Sequence, residues 1–158
     1  MHLIRSRAQC GITLIEVLVT LFIVSVGLLG VAGLHSVSLS AGHTATNRSL
    51  AVFFSAEIAD RMRANRGAIA SYDNSITSAG SDNSCTDKPG SSAGICTPLE
   101  LVQDDVFHWQ NTVTEAYVNM SPVATVTVDV ATVPSVVTIT LNWTERGDVM
   151  SYVTSLRI

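Results

Sequence analysis

From Ile12 to Leu34 the chain runs 23 residues with Glu16 as its only charged side chain. That length meets the ~20 apolar residues needed by a helix crossing a bilayer. Further on the pattern becomes one-sided: Leu50, Phe54, Ile58 and Met62 recur at i, i+4 spacing, as on the buried face of an amphipathic helix. Together these stretches predict one long helix from about Thr13 to Arg66. At 1.5 Å per residue it would extend on the order of 80 Å, more than a membrane requires. Glu57 and Arg61 fall on another face as a favourable i, i+4 ion pair. Gly27, Gly30 and Gly33 interrupt the outer half of the apolar run. Each costs about 1 kcal/mol of helix propensity relative to Ala, and the spacing suits close helix packing or local unwinding.

Periodicity stops at Gly67. Residues 67–96 are rich in Ser, Gly, Asn and Asp and predict a long surface loop, ordered around Tyr72 and Ile76. Thr97-Pro98-Leu99-Glu100 then reads as a helix start, with Thr97 as cap, Pro98 at the first helical position and Glu100 reaching back. Leu99, Val102, Val106, Trp109 and Val113 continue with a helical period, giving a second helix over 98–114. Three strands follow at about 124–130, 136–144 and 149–158. In the first, Val126, Val128 and Val130 alternate with Thr125, Thr127 and Asp129. In the second, Val137, Ile139, Leu141 and Trp143 alternate with Thr138, Thr140 and Asn142. Met150, Tyr152, Leu156 and Ile158 share a face of the third. Pro134 separates the first two strands, and Glu145-Arg146-Gly147-Asp148 forms the turn between the last two. Such an antiparallel meander needs its apolar face covered, and the amphipathic half of the long helix is the obvious cover. The pattern alone therefore predicts an α+β domain tethered to a membrane.

Glu16 changes this picture. A charge within a membrane helix costs roughly 2.5–3.5 kcal/mol on insertion scales and calls for a purpose. A basic leader, Met1 to Gly11 with Arg5 and Arg7, precedes the run, and the small residue Gly11 stands before the apolar core. An ordinary secretory signal is cut after its core; a cut at Gly11 would leave the membrane segment on the mature chain. Gly11-Ile12-Thr13-Leu14-Ile15-Glu16 resembles the class III signal sequence of type IV prepilins and type II secretion pseudopilins. The resemblance implies that a prepilin peptidase and N-methyltransferase cuts between Gly11 and Ile12 and methylates the new amino terminus on Ile12. It also implies an assembly role for Glu16, which neutralises the amino terminus of a neighbouring subunit. One departure is Ile12, where the family usually has Phe.

The same resemblance divides the chain into leader 1–11, membrane and assembly segment 12–34, amphipathic half-helix 35–66 and globular domain 67–158. Arg5 and Arg7 precede the span and no Lys or Arg follows until Arg48. The positive-inside rule places the amino terminus in the cytoplasm and the domain in the periplasm. Loss of the leader leaves seven basic residues against thirteen acidic ones, a balance unlike the clustered Lys and Arg of a nucleic-acid footprint. Cys10 leaves with the leader, and Cys85 and Cys96 remain as a pair in a polar loop. In an oxidising compartment such a pair forms a disulfide. The alternative, a metal site, would have two sulfurs with no His between them.

A more specific resemblance lies beyond the span. Ala56-Glu-Ile-Ala-Asp60-Arg-Met-Arg-Ala-Asn65-Arg66, Gly27-Leu-Leu-Gly30, the paired cysteines and Val137-Thr-Ile-Thr-Leu-Asn-Trp-Thr-Glu145 resemble the PilV-type minor pilins, also called type IV pilus modification proteins. That likeness implies a long amino-terminal helix packed on a small antiparallel sheet, with a disulfide-closed loop and a short second helix. It implies a role in priming type IV pili near the tip. The partners would be other minor pilins, the major pilin and the inner-membrane assembly platform. The rival readings are a minor pseudopilin of a type II secretion system and an adhesin that uses the 72–96 loop. No catalytic constellation or cofactor motif stands out. His2, His35, His43 and His108 are scattered without metal spacing, and Asp104-Asp105 reads as a solvated helix face. Arg61, Arg63 and Arg66 form the one basic cluster, read as a solvated helix end, a subunit contact, or a weak contact with DNA or an anionic surface.

Overall fold

The computed structural model describes residues 11–73, 80–85 and 96–158. Helix α1 is Leu14–Ala64, a 3-10 segment follows at Arg66–Tyr72 with a kink at Ala68, and helix α2 is Pro98–Ala116. Strands β1 (Val123–Asp129), β2 (Val136–Glu145) and β3 (Asp148–Arg157) form an antiparallel sheet in the order β1-β2-β3. The chain divides into two compact units, one ending at His43 and the other Thr44–Ile158.

In the first unit, α1 exposes its large apolar side chains from Leu14 to Leu39. In the second, α1 buries one stripe: Asn47, Ala51, Phe54, Ser55, Ile58, Ala59 and Met62. The steps of three and four residues follow the helical period. Leu50, included in the stripe by i, i+4 counting, lies at its margin and is only partly buried.

The stripe joins a single core with Tyr72, with Val102, Val106, Trp109, Val113 and Tyr117, and with Val126, Val137, Ile139, Leu141 and Trp143 of the sheet. Each fully buried aliphatic side chain contributes about 1.5–3 kcal/mol. The central strand β2 shows the cause of the register. Val137, Ile139, Leu141 and Trp143 are buried, and Val136 and the Thr and Asn residues between them are half-buried on the other face. A slip by one residue would exchange the two sets.

Three polar contacts pin α2 antiparallel along α1. Asp105 accepts from Arg61, the Trp109 indole donates to the Phe54 carbonyl at 2.9 Å, and the Tyr117 hydroxyl donates to the Asn47 carbonyl at 2.5 Å. On α2 these residues lie on one i, i+4 row, and on α1 each step is two turns. The ring of Tyr117 also stacks on Trp143 of β2, with centroids 5.3 Å apart.

The start of α2 follows its sequence signature. Thr97 Oγ1 accepts the Glu100 amide at 3.3 Å, and the Thr97 amide donates to the Glu100 carboxylate at 2.8 Å. The bond from the Thr97 amide, and a second that the Thr97 hydroxyl donates to the same carboxylate at 2.8 Å, hold the Glu100 carboxyl below the usual carboxylate range. The long loop differs from expectation at its beginning: Arg66–Tyr72 is 3-10 helix and Tyr72 is fully buried. Ala68, Ile69 and Tyr72 supply its apolar contacts, too few positions to register as a period. Val130 falls outside β1 and is exposed. Ile76 and most of the loop lie outside the described residues.

Glu145 pairs with Asp148 across a two-residue turn, with φ of 56° at Arg146 and 92° at Gly147. Tight hairpins need positive φ at both central positions, and glycine adopts it freely. Gly147→Ala is therefore expected to cost about 1 kcal/mol. Thr97→Ala is expected to cost a similar ~1 kcal/mol through the lost helix cap. Urea denaturation followed by circular dichroism checks both, with the midpoint lowered and the slope unchanged.

Candidate functional site

Two regions hold side chains whose chemistry is not simply core packing. At the amino-terminal end, Gly11, Ile12 and Thr13 precede α1 and are exposed. The Thr13 carbonyl receives the amides of Glu16 at 3.1 Å and Val17 at 3.3 Å. Glu16 thus occupies the first turn, where the helix dipole favours a negative charge. Farther along, the hydroxyls of Thr20 and Ser25 donate back to the Val17 and Leu21 carbonyls, so neither needs water in an apolar medium. The helix is long and apolar enough to cross a membrane. At Gly27, Gly30 and Gly33 a Cβ would find nothing within 4 Å among the described residues.

The second region lies on α2. Asp104 and Asp105 are both buried, which corrects their reading as a solvated face. Adjacent helical residues point about 100° apart, so each carboxylate serves a different neighbour. Asp105 accepts from Arg61 Nη1 at 2.8 Å and from the Tyr72 hydroxyl at 2.7 Å. Arg61 Nη2 also reaches Glu57 Oε1 at 2.8 Å. Asp104 accepts the backbone amide of Asn83 at 2.8 Å. The Asn83 side chain donates to the Glu100 carbonyl and the Gln103 amide oxygen, laying segment 80–85 along α2. Gly80 is required there, because a Cβ would overlap the Gln103 carbonyl and the Phe107 amide. Cys85, two residues after Asn83, is bonded to Cys96, which immediately precedes the cap Thr97.

Residues 6–32, which include Gly11, Ile12 and Glu16, match the model of the prokaryotic N-terminal methylation motif. Residues 33–107 match the family model described as type IV pilin Tt1218. The chain carries a type IV pilin domain. It is thus a component of a pilus or pseudopilus, in a family that is structural and not catalytic. The motif implies processing by a prepilin peptidase and assembly with other pilins, and the apolar helix of this pilin suggests membrane anchoring. The expected pilin architecture is present: a long helix whose second half packs on a small antiparallel sheet, a second helix and the Cys85–Cys96 disulfide. No curated protein and no solved structure matches the chain.

The three arginines of the basic cluster are not brought together as a patch. Arg61 turns inward to Asp105 and Glu57, Arg63 pairs with Asp60 at 2.6 Å, and exposed Arg66 begins the 3-10 segment. His108, read as lacking metal spacing, stands four residues after Asp104 and within 3.6 Å of it and of Asp82. The i, i+4 spacing of Asp104 and His108 was a local signal for two of that cluster's three members. Asp82 joins only through the tertiary placement of segment 80–85, which periodicity does not reveal. The buried role of Tyr72 has the same origin.

Glu145, at the end of β2, accepts from Thr44 Oγ1 at 2.6 Å, and this bond holds its carboxyl below the usual range. Burial pushes the Tyr117 hydroxyl up to about 12. It also raises Tyr72, with the hydrogen bond to Asp105 adding to the effect. A raised phenol stabilises the fold fully below the unfolded-state value of about 10 and loses that contribution as pH rises. The midpoint of urea denaturation is therefore expected to fall between about pH 10 and pH 12. Tyr117→Phe should flatten the decline in that window. A midpoint independent of pH there would contradict the assignment. Separately, reduction of Cys85–Cys96 is expected to cost about 3 kcal/mol by reopening a short loop. Matched denaturation curves with and without reductant measure it.

Proposed function

We propose that this pilin is a minor pilin of the PilV type that primes type IV pilus assembly at or near the filament tip. The observation that carries the reading is the exposed apolar helix with a single carboxylate, Glu16, in its first turn, directly behind a methylation-motif cut site. The peptidase would cut between Gly11 and Ile12 and methylate Ile12. The mature segment 12–34 would remain in the inner membrane, with the amino terminus cytoplasmic and the domain periplasmic, until assembly draws it into the filament. Exchanging lipid for neighbouring helices would leave its apolar side chains covered throughout.

Glu16 would then face a positively charged amino terminus on an adjacent subunit. In the low dielectric of a helix bundle this attraction is stronger than in water. A mispaired carboxylate would remain uncompensated, so the pair selects the register in which a subunit enters. Arg63 and Arg66, exposed at the end of α1 and just beyond it, would be the members of the basic cluster to contact a neighbour. Arg61 is engaged within its own chain. The partners would be other minor pilins, the major pilin and the inner-membrane assembly platform.

The methylation motif is common to pilins and pseudopilins, so a type II secretion pseudopilin is the second reading, separable in cells. Deleting the gene is expected to reduce surface pili and twitching with major pilin synthesis intact and protein export normal. An export defect with normal piliation would transfer the chain to the secretion system. Mass spectrometry of the chain with and without its peptidase is expected to show an amino terminus at Ile12 carrying one methyl group, only when the peptidase is present. Glu16→Ala should preserve that processing and remove the protein from sheared filaments.

A further inference from the structure

The Asp82–Asp104–His108 cluster shares no residue with the cut site and is not needed for the assembly chemistry of Glu16. His108 Nε2 has no accessible surface and no hydrogen-bond partner among the described residues. It points between two carboxylate oxygens, Asp82 Oδ1 and Asp104 Oδ1, each 3.6 Å away. These separations are too long for hydrogen bonds. All three atoms nevertheless fall within 4.8 Å of one another. Zinc bonds to imidazole nitrogen and carboxylate oxygen are about 2.0–2.2 Å, and two of them at a tetrahedral angle put the donor atoms about 3.4 Å apart. The two separations from His108 Nε2 are close to that donor spacing.

We propose that Asp82, Asp104 and His108 form a binding site for a first-row divalent cation, Zn2+ foremost, with solvent completing its coordination. The donor set argues for the metal class. Imidazole suits Zn2+ and its transition-metal neighbours, whereas Ca2+ and Mg2+ select oxygen ligands. Asp104 and His108 are held one turn apart on rigid α2, and the Asn83 amide on Asp104 Oδ1 orients that carboxylate from outside. Asp82 comes from segment 80–85, where its Oδ1 also accepts the Ser84 amide at 3.1 Å. A cation here ties that segment to α2 by a second link, a few residues from the Cys85–Cys96 bridge. Its role is structural: it holds segment 80–85 against α2.

Isothermal titration calorimetry on the full chain in detergent, oxidised and freed of metal by chelation, tests the proposal. Zn2+, Mn2+, Ca2+ and Mg2+ are each titrated into wild type, Asp82→Asn and His108→Gln. Asp104 is left intact because it is buried, and circular dichroism confirms that the two variants fold. One Zn2+ per chain is expected, bound more tightly than Ca2+ or Mg2+, with each variant weakening it by about tenfold or more. Zn2+ should also raise the melting temperature of wild type and not of either variant. Absence of Zn2+ binding at millimolar concentration would overturn the site. Binding that both variants retain would overturn it as well, since the metal would then sit elsewhere. Tighter binding of Ca2+ than of Zn2+ would refute the metal assignment.

Discussion

A carboxylate removed from water must be met by donors, and Asp105 is met by two that come from different elements. Arg61 reaches it from α1 and Tyr72 from the 3-10 segment. Removing either donor would leave a buried charge poorly compensated, at a cost larger than the pair's own net stabilisation. The three elements therefore have one low-energy arrangement. Once Asp105 is placed, Trp109 and Tyr117 fall opposite the Phe54 and Asn47 carbonyls along the same row. The aromatic side chains then fill the space above β2. Hydrophobic burial drives this packing, and the polar row selects its register.

The distribution of exposed and buried surface on α1 connects fold to assembly. Within Thr44–Ile158 the helix satisfies its stripe with partners from its own chain. Its earlier residues have apolar side chains on every face and no buried position among them from Leu14 to Leu39. Lipid or other subunits must cover that surface. The carboxylate of Glu16 in the first turn is the one acidic side chain of that stretch, and it makes one end of a mostly apolar helix distinguishable from the rest.

Much of this organisation was legible in the residues because it is local. The apolar run, the capping box at Thr97 and Glu100, the strand alternation and the turn at Gly147 are each determined within a few positions. The edges of elements were less legible: Leu50 fits an i, i+4 count and still sits at the margin, because the buried stripe drifts around the helix with the 3.6-residue period. Least legible were the polar groups. Asp104 and Asp105 look like surface residues until Arg61, Tyr72 and Asn83 arrive from elsewhere in the chain. Long-range hydrogen bonding, which no window of sequence contains, turned that dipeptide into the centre of the domain.

The glycines divide along the same line. Gly80 exists because two backbones touch, so any side chain there would be rejected by the subunit itself. Gly27, Gly30 and Gly33 meet no such refusal among the described residues. A bulkier residue at those positions would pass unnoticed through the folding of a single molecule. It would be judged only by what lies against the helix afterwards. The protein thus carries two kinds of intolerance, one enforced by its own backbone and one enforced by its company.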